Sequence, residues 1–252
     1  GRIDFEKKFG SETKFEAGAN ISSARAHAIL NYQNYRPDEQ YQSYYDYTEN
    51  NYAGYSQLSG KLGKVSYSAG LRIENTKVDG GFNTAGSPLI NKNYTYLFPK
   101  ANIDLPIDSV KTLSMSYSRN IVRPTYSDAS SITTFVNPFL EFARTTNLNP
   151  TLTNELAANL QINQVSLRLS YYWYNNPVYY SFIFDDTKNL LTMFPDNFNK
   201  ESGVNLNLTV PLKFGLWSST NTLTGTINKI QDPAAVIRSS KPSLYYYSDN
   251  SF

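Results

Sequence analysis

The chain offers few side chains that could carry reaction chemistry, and their spacing limits what they could do. It holds a single histidine, His27, in 252 residues. A nucleophile–base relay needs a base oriented by a third group, and an imidazole metal site needs several ligands at set spacing. One isolated ring supplies neither, so His27 reads as a lumen or rim residue near the end of a strand. There is no cysteine, hence no disulfide framework and no Cys-ligated metal. Two carboxylate pairs, Asp38 with Glu39 and Asp185 with Asp186, could offer oxygens to Ca²⁺. No EF-hand-like spacing follows either, and a solvated loop pair is the simpler reading. Gly80 and Gly81 read as a turn, since no phosphate-loop motif surrounds them. No catalytic, cofactor-binding or metal-binding set emerges. The substrate-binding residues stay unnamed, and no enzyme activity is expected.

The elements that must position these groups are strands. In residues 64–74, Val65, Tyr67, Ala69, Leu71 and Ile73 take one face, and Ser66, Ser68, Gly70, Arg72 and Glu74 the other. Strict alternation of this kind marks a strand with one apolar and one polar face. It returns over 14–21, 111–118, 155–162, 165–174 and 203–210. Over 94–105 the parity slips: Tyr94, Tyr96 and Phe98 share one face, and Ala101, Ile103 and Leu105 the other. The slip predicts a bulge at Pro99, which cannot donate to a ladder. With 21 Tyr and 14 Phe, the composition favours strands over helices.

The connections alternate in length. Short turns fall near Gly10–Glu12, Leu62–Lys64, Pro106–Ser109, Asn163–Gln164 and Leu212–Gly215. Long polar connections fall near 28–50, 79–92, 120–152, 176–189 and 229–243. Short periplasmic turns and long extracellular loops are the layout of an up-and-down outer-membrane barrel. The expected fold is therefore all-β, an antiparallel transmembrane β-barrel segment of about ten long strands, with residues 243–252 beginning another. The rival is a soluble β-sandwich that binds carbohydrate through its tyrosines. Sandwich strands are shorter, about five or six residues, and their turns recur every 8–12 residues or so.

Within a barrel, aromatic clusters at strand ends are expected at the membrane–water boundary. They are Tyr44, Tyr45 and Tyr47; Tyr171, Tyr172, Trp173 and Tyr174; Tyr179 and Tyr180; and Tyr245, Tyr246 and Tyr247. Arg72, Glu74, Arg119, Arg123 and Arg168 are expected to line the lumen and to pair along the wall. A net charge of only +2 argues against nucleic acid as a partner.

Several segments, in order, resemble the outer-membrane barrel region of TonB-dependent receptors, in the form common in Bacteroidota. Lys14-Phe-Glu-Ala-Gly-Ala-Asn20 is similar to the strand after the family's first short turn. Tyr52 to Lys64, followed by Ser68-Ala-Gly-Leu-Arg-Ile-Glu74, resembles its strand, Gly-Lys turn and "AGLRxE" strand. Tyr96-Leu-Phe-Pro-Lys100 resembles its "LFP" element, and Ser116 to Tyr126 its "SYSRxIxRPxY" element. Asn147 to Glu155 resembles "NPxLxPExxxxxE", with two departures: Arg144-Thr145-Thr146 where the family writes Gly-Asn-Pro, and Thr151 where it writes Glu.

The resemblance implies a 22-stranded barrel with an N-terminal plug and a TonB box. Residues 1–252 are then expected to be one partial barrel domain, with plug and C-terminal strands outside it, and to leave two open sheet edges. The implied function is uptake of a nutrient such as a glycan, peptide or metal chelate across the outer membrane of a Gram-negative bacterium. The partners would be the lipid bilayer, the TonB complex through the plug, and a surface lipoprotein if the substrate is a glycan. The alternative within the same fold is a non-transporting barrel with a structural, assembly or secretion role.

Overall fold

A computed structural model describes residues 1–32, 41–82, 90–125, 133–143, 145, 147–236 and 238–252. Its strands, in chain order, are β1 (Arg2–Phe9), β2 (Thr13–Tyr32), β3 (Tyr41–Leu62), β4 (Val65–Phe82), β5 (Ile90–Pro106), β6 (Lys111–Val122), β7 (Thr134–Asn137) and β8 (Leu140–Phe142). They continue with β9 (Thr151–Ile162), β10 (Val165–Asn175), β11 (Val178–Asp185), β12 (Leu190–Asn197), β13 (Lys200–Phe214), β14 (Trp217–Gln231) and β15 (Ser243–Ser251). Eleven of them form one antiparallel sheet in the order β1-β2-β3-β4-β5-β6-β9-β10-β13-β14-β15. The sheet is open among the described residues: β1 pairs only β2, and β15 only β14. β15 is the strand expected to begin at 243.

The wall is inverted relative to a soluble protein. On β4, Ile73 is 50% exposed while its neighbour Glu74 is 6% exposed. Leu97, Leu156, Leu169 and Leu206 are likewise exposed, and Asn51, Thr76, Ser170 and Glu201 buried. A sandwich would bury the apolar set, so the soluble alternative fails on burial. A bilayer accepts an apolar outer band alternating with polar inward positions.

The short turns fall where the sequence places them. Gly63 and Gly215 each open a two-residue connection with φ near +60°, a conformation that costs glycine nothing. Asn163 does the same at φ 50. In the turn after β5, Asp108 accepts backbone hydrogen bonds from Val110 and Lys111, both at 2.9 Å.

The long connections hold more structure than expected. β2 and β3 stay in register from Thr13↔Gly60 to Tyr32↔Tyr41, about twice the 9–11 residues that cross a bilayer. Much of 28–50 is therefore a hairpin that projects past the membrane, rich in β-forming Tyr. Gly80 and Gly81 lie in β4 and make no turn. A Cβ on Gly80 would stand 2.9 Å from the Asp46 carbonyl, so the glycine allows close strand approach. From 120–152 and 176–199 comes a second sheet, β11-β12-β8-β7, with β8 parallel to β12. Its hairpin continues β10 and β13 past a bend at Asn176, where φ is 55.

The predicted bulge at Pro99 is absent. Register between β4 and β5 runs unbroken from Ser66↔Asp104 to Gly80↔Ile90. Tyr94, Tyr96 and Phe98 simply face inward, and Ala101, Ile103 and Leu105 outward. The missing N–H of Pro99 is used elsewhere: β5 pairs β6 only from Lys100 to Pro106. Pro99 stands where β6 leaves β5, and a proline is tolerated at such an edge.

Candidate functional site

Polar and aromatic groups concentrate on the inner face of the extracellular half. Arg72 and Glu74, two apart on β4, point the same way, and the Arg72 Nε and Nη2 donate to Glu74 Oε2 at 2.9 and 2.5 Å. Arg123, just past β6, reaches across the gap where β5 and β6 separate and donates to Glu74 Oε1. Its Nη2 also donates to Thr76 Oγ1 at 3.3 Å, and its Nε lies 3.6 Å from Glu49 Oε1. Asn51 Nδ2 donates to Thr76 Oγ1 at 3.1 Å, and Tyr47 Oη to Glu49 Oε2 at 2.8 Å. Two guanidinium groups thus face two carboxylates, a balanced set in a partly dry wall. Above it Tyr45 is buried, and burial pushes its phenol up to about 12.

A second cluster centres on Glu201, a buried carboxylate on β13. It accepts hydrogen bonds from Tyr172 Oη at 3.0 Å, Asn228 Nδ2 at 3.0 Å and Tyr179 Oη. β10 and β13 register Tyr172 with Gly203 and Tyr174 with Glu201, so all four positions share the inner face. Gly203 is what lets the Tyr172 ring lie there, since a Cβ would fall 2.6 Å from Cζ of that ring. Glu201 escapes sequence reasoning. The readable signal is the pairing of a strand glutamate with a glycine two residues on, a vacancy cut for a neighbour's ring.

Between the clusters lies a groove of about 500 Å³, lined by Arg123, Thr151, Thr153, Tyr174, Tyr179 and Glu201 among others. A smaller one of about 340 Å³ sits below, against Tyr55, Gln57, Arg72, Glu74, Phe98 and Lys100. Hydroxyls, rings and opposed charges on a concave wall can bind a polar or zwitterionic solute.

The other expected site residues scatter. Arg168 lies on the inner face nearer the periplasm and pairs with Glu155. Arg119 is a correction: it registers with Asn154 and shares the parity of Tyr117 and exposed Met115, which is the outer face. A charge is expected in the lumen, but the alternation of Leu113, Met115 and Tyr117 carries on to Arg119 and sets it outward. His27 is exposed above the membrane, 2.7 Å from Asp46 Oδ1, with its ring stacked on Tyr44 at 6.2 Å. Asp185 accepts from Thr187 Oγ1 at 2.6 Å and from the backbone N–H groups of Lys188 and Thr187 and so shapes a turn, and these contacts, the Thr187 hydroxyl foremost, hold its carboxyl below the usual range. Asp38 and Glu39 lie outside the described residues.

The pleat also divides the aromatic clusters. Tyr171 and Trp173 face out, stacked at 5.6 Å, and Tyr117 stacks on Trp173 at 6.0 Å, a boundary belt as expected. Tyr172 and Tyr174 face in, as do Tyr45 and Tyr47, because successive strand residues alternate sides. Tyr179 and Tyr180 belong to β11 in the second sheet, beyond the main wall.

Comparison with known proteins gives the same architecture. The model of a family described as outer membrane protein beta-barrel matches residues 1–252. The copper transporter OprC superposes with a TM-score of 0.64 at 14% identity, covering 91% of this chain and 37% of that one. The siderophore receptor PiuA from Acinetobacter baumannii gives 0.57 at 12% identity, with 94% and 38% coverage. The FrpB iron transporter from Neisseria meningitidis (F3-3 variant) gives 0.56 at 11%, with 91% and 35%. At these identities the likeness is one of fold. The chain spans a little over a third of the length of these proteins. A comparison with curated proteins finds no match.

Proposed function

Since the chain belongs to the outer membrane protein beta-barrel family, we propose that it forms part of the wall of a TonB-dependent receptor that imports a nutrient. Its setting is the outer membrane of a Gram-negative bacterium, with the exposed apolar face against lipid. The observation that carries the import reading is the inner-face groove between Arg123 and Glu201, at the extracellular mouth and bordered by Val178 and Tyr179 of the second sheet. A wall that only anchored or scaffolded would need no such concentration of buried polar groups at one end. In this reading the open edges at β1 and β15 are completed by further strands of a longer chain. A plug would fill the inner face, and the TonB complex would supply energy through it. The fold shared with copper, iron and siderophore proteins supports uptake as the activity; a glycan, peptide or metal chelate would suit the polar groove.

Growth of the parent bacterium on single sources of glycan, peptide or chelated metal tests this. Deleting the gene should abolish uptake of one of them, and so should collapsing the proton-motive force. Glu201→Gln in the intact receptor should weaken uptake by about tenfold, the scale of one lost charged contact. Uptake that persists without the TonB complex, or a deletion with no nutrient phenotype, would overturn the reading.

A further inference from the structure

We infer that Arg119 holds the phosphate of an outer-leaflet lipid headgroup on the membrane face of the barrel. Three observations carry this. First, Arg119 lies on the lipid side of the wall, by its register with Asn154 and its parity with Tyr117 and Met115. Second, no carboxylate or hydrogen-bond acceptor among the described residues pairs with its guanidinium, and Nε is buried without a hydrogen bond. Its outer-face neighbours along the strand and across the ladder, Tyr117, Ile121, Asn154 and Leu152, bring no carboxylate. Asn154 is itself engaged, accepting from Tyr117 Oη at 3.1 Å and donating to the Trp173 carbonyl at 3.3 Å. Third, the height fits a headgroup. Eight residues above Lys111, at about 3.3 Å each and a tilt of about 40°, put Arg119 ~20 Å up an apolar band of roughly 25 Å. That is the level of the Tyr117–Trp173–Tyr171 belt, which marks the upper boundary.

A cation facing hydrocarbon is costly, and an arginine at this depth lowers the cost by reaching to the interface. What it meets there is headgroup phosphate, which a guanidinium binds through two parallel N–H···O bonds. β5 stops pairing with β6 at Lys100, so the position opposite Arg119, held by Pro99, carries no rung.

The test uses the intact protein in phosphatidylcholine nanodiscs doped with bis-phosphorylated lipid A or with its fully dephosphorylated form, and counts bound lipid by native mass spectrometry. Retention of the phosphorylated form should exceed the dephosphorylated form about tenfold. Arg119→Leu should lower it to the dephosphorylated level, and Arg119→Lys should leave an intermediate amount. Lys213→Gln, on the inner face near the periplasm, should change nothing. Heat-modifiable gel mobility reports that each variant is folded, and the two lipid arms with unaltered protein stand even if a variant is not. Equal retention of the two lipids by the unaltered protein would overturn the inference. So would full retention by Arg119→Leu, or displacement by inorganic phosphate at the concentration of the lipid.

Discussion

Glu74 and Arg123 lie 49 residues apart and meet across the inner face where β5 and β6 part. Arg72, on the same strand, grips the second oxygen of that carboxylate, so Glu74 joins β4 to the segment after β6, and Arg123 carries the link on to Glu49 of β3. Replacing Glu74 with Ala leaves two guanidinium groups facing each other. Breaking a fully buried pair costs about 3–5 kcal/mol. Arg72 and Arg123 keep 37% and 25% of their side chains wet, so we expect about 2 kcal/mol. Urea unfolding of the folded barrel in micelles measures this, and a midpoint unchanged from the parent would contradict it.

Gly203→Ala should act on Glu201 without touching it. The added methyl would overlap the Tyr172 ring, 2.6 Å from both Cζ and Oη, and the Ile227 carbonyl at 2.7 Å. Overpacking of this kind costs about 1–3 kcal/mol, and the ring must leave Glu201. Tyr172→Phe removes the hydroxyl alone. If both variants reduce uptake alike, the hydroxyl is what matters; if only Gly203→Ala does, the shape of the wall is.

The turn after β5 should respond to pH. Hydrogen bonds from Val110, with help from Lys111, hold the Asp108 carboxyl below its ordinary value. A carboxylate whose folded pKa is depressed stabilises the folded state above its unfolded pKa of about 3.9. That contribution is lost as pH falls through the folded value. Asp108→Ala should therefore be less stable than the parent at pH 6, with the gap closing below about pH 4. A gap that stays constant to pH 2 would show that the side chain acts by shape alone.

The two faces should differ sharply in their tolerance of charge. Leu169 is exposed on the outer face about mid-wall, and Ser116 lies on the inner face at a similar height. Leu169→Lys should cost about 2–4 kcal/mol, the penalty for lysine at a bilayer midplane. Ser116→Lys should stay within about 1 kcal/mol, near Asp104 and a wet interior. Refolding yields into vesicles would rank them, and the reverse order would invert the assignment of faces.

Which parts of this were readable beforehand follows from what alternation encodes. Leu71, Ile73 and their neighbours specify a face directly, because a strand has only two sides. The turns at Gly63, Gly215 and Asn163 are readable because few residues accept positive φ. The parity change between Tyr94, Tyr96, Phe98 and Ala101, Ile103, Leu105 misleads, since a bulge is one way to keep all six apolar residues on one face. The register shows rings turned inward to fill the mouth. Arg119 misleads in the opposite way: its charge points to the lumen while its parity points outward. Glu201 was invisible because its partners Tyr172, Tyr179 and Asn228 come from three other strands, and their convergence is a property of pairing order. The small sheet was hidden for the same reason, as β8 and β12 lie 50 residues apart in sequence and join in parallel.

Seven registered pairs join β5 to β6, against fifteen between β4 and β5 and twelve between β6 and β9. Mechanically, that makes one seam of the wall far weaker than its neighbours. Sideways tension would peel it open from the extracellular rim, where Pro99 already marks the first missing rung. The strip would then separate into a five-strand piece and a six-strand piece, each with its turns intact. Folding run backwards follows the same line, so the two pieces are natural units of assembly. Arg123 clasping Glu74 across the rim is the stitch that closes them last.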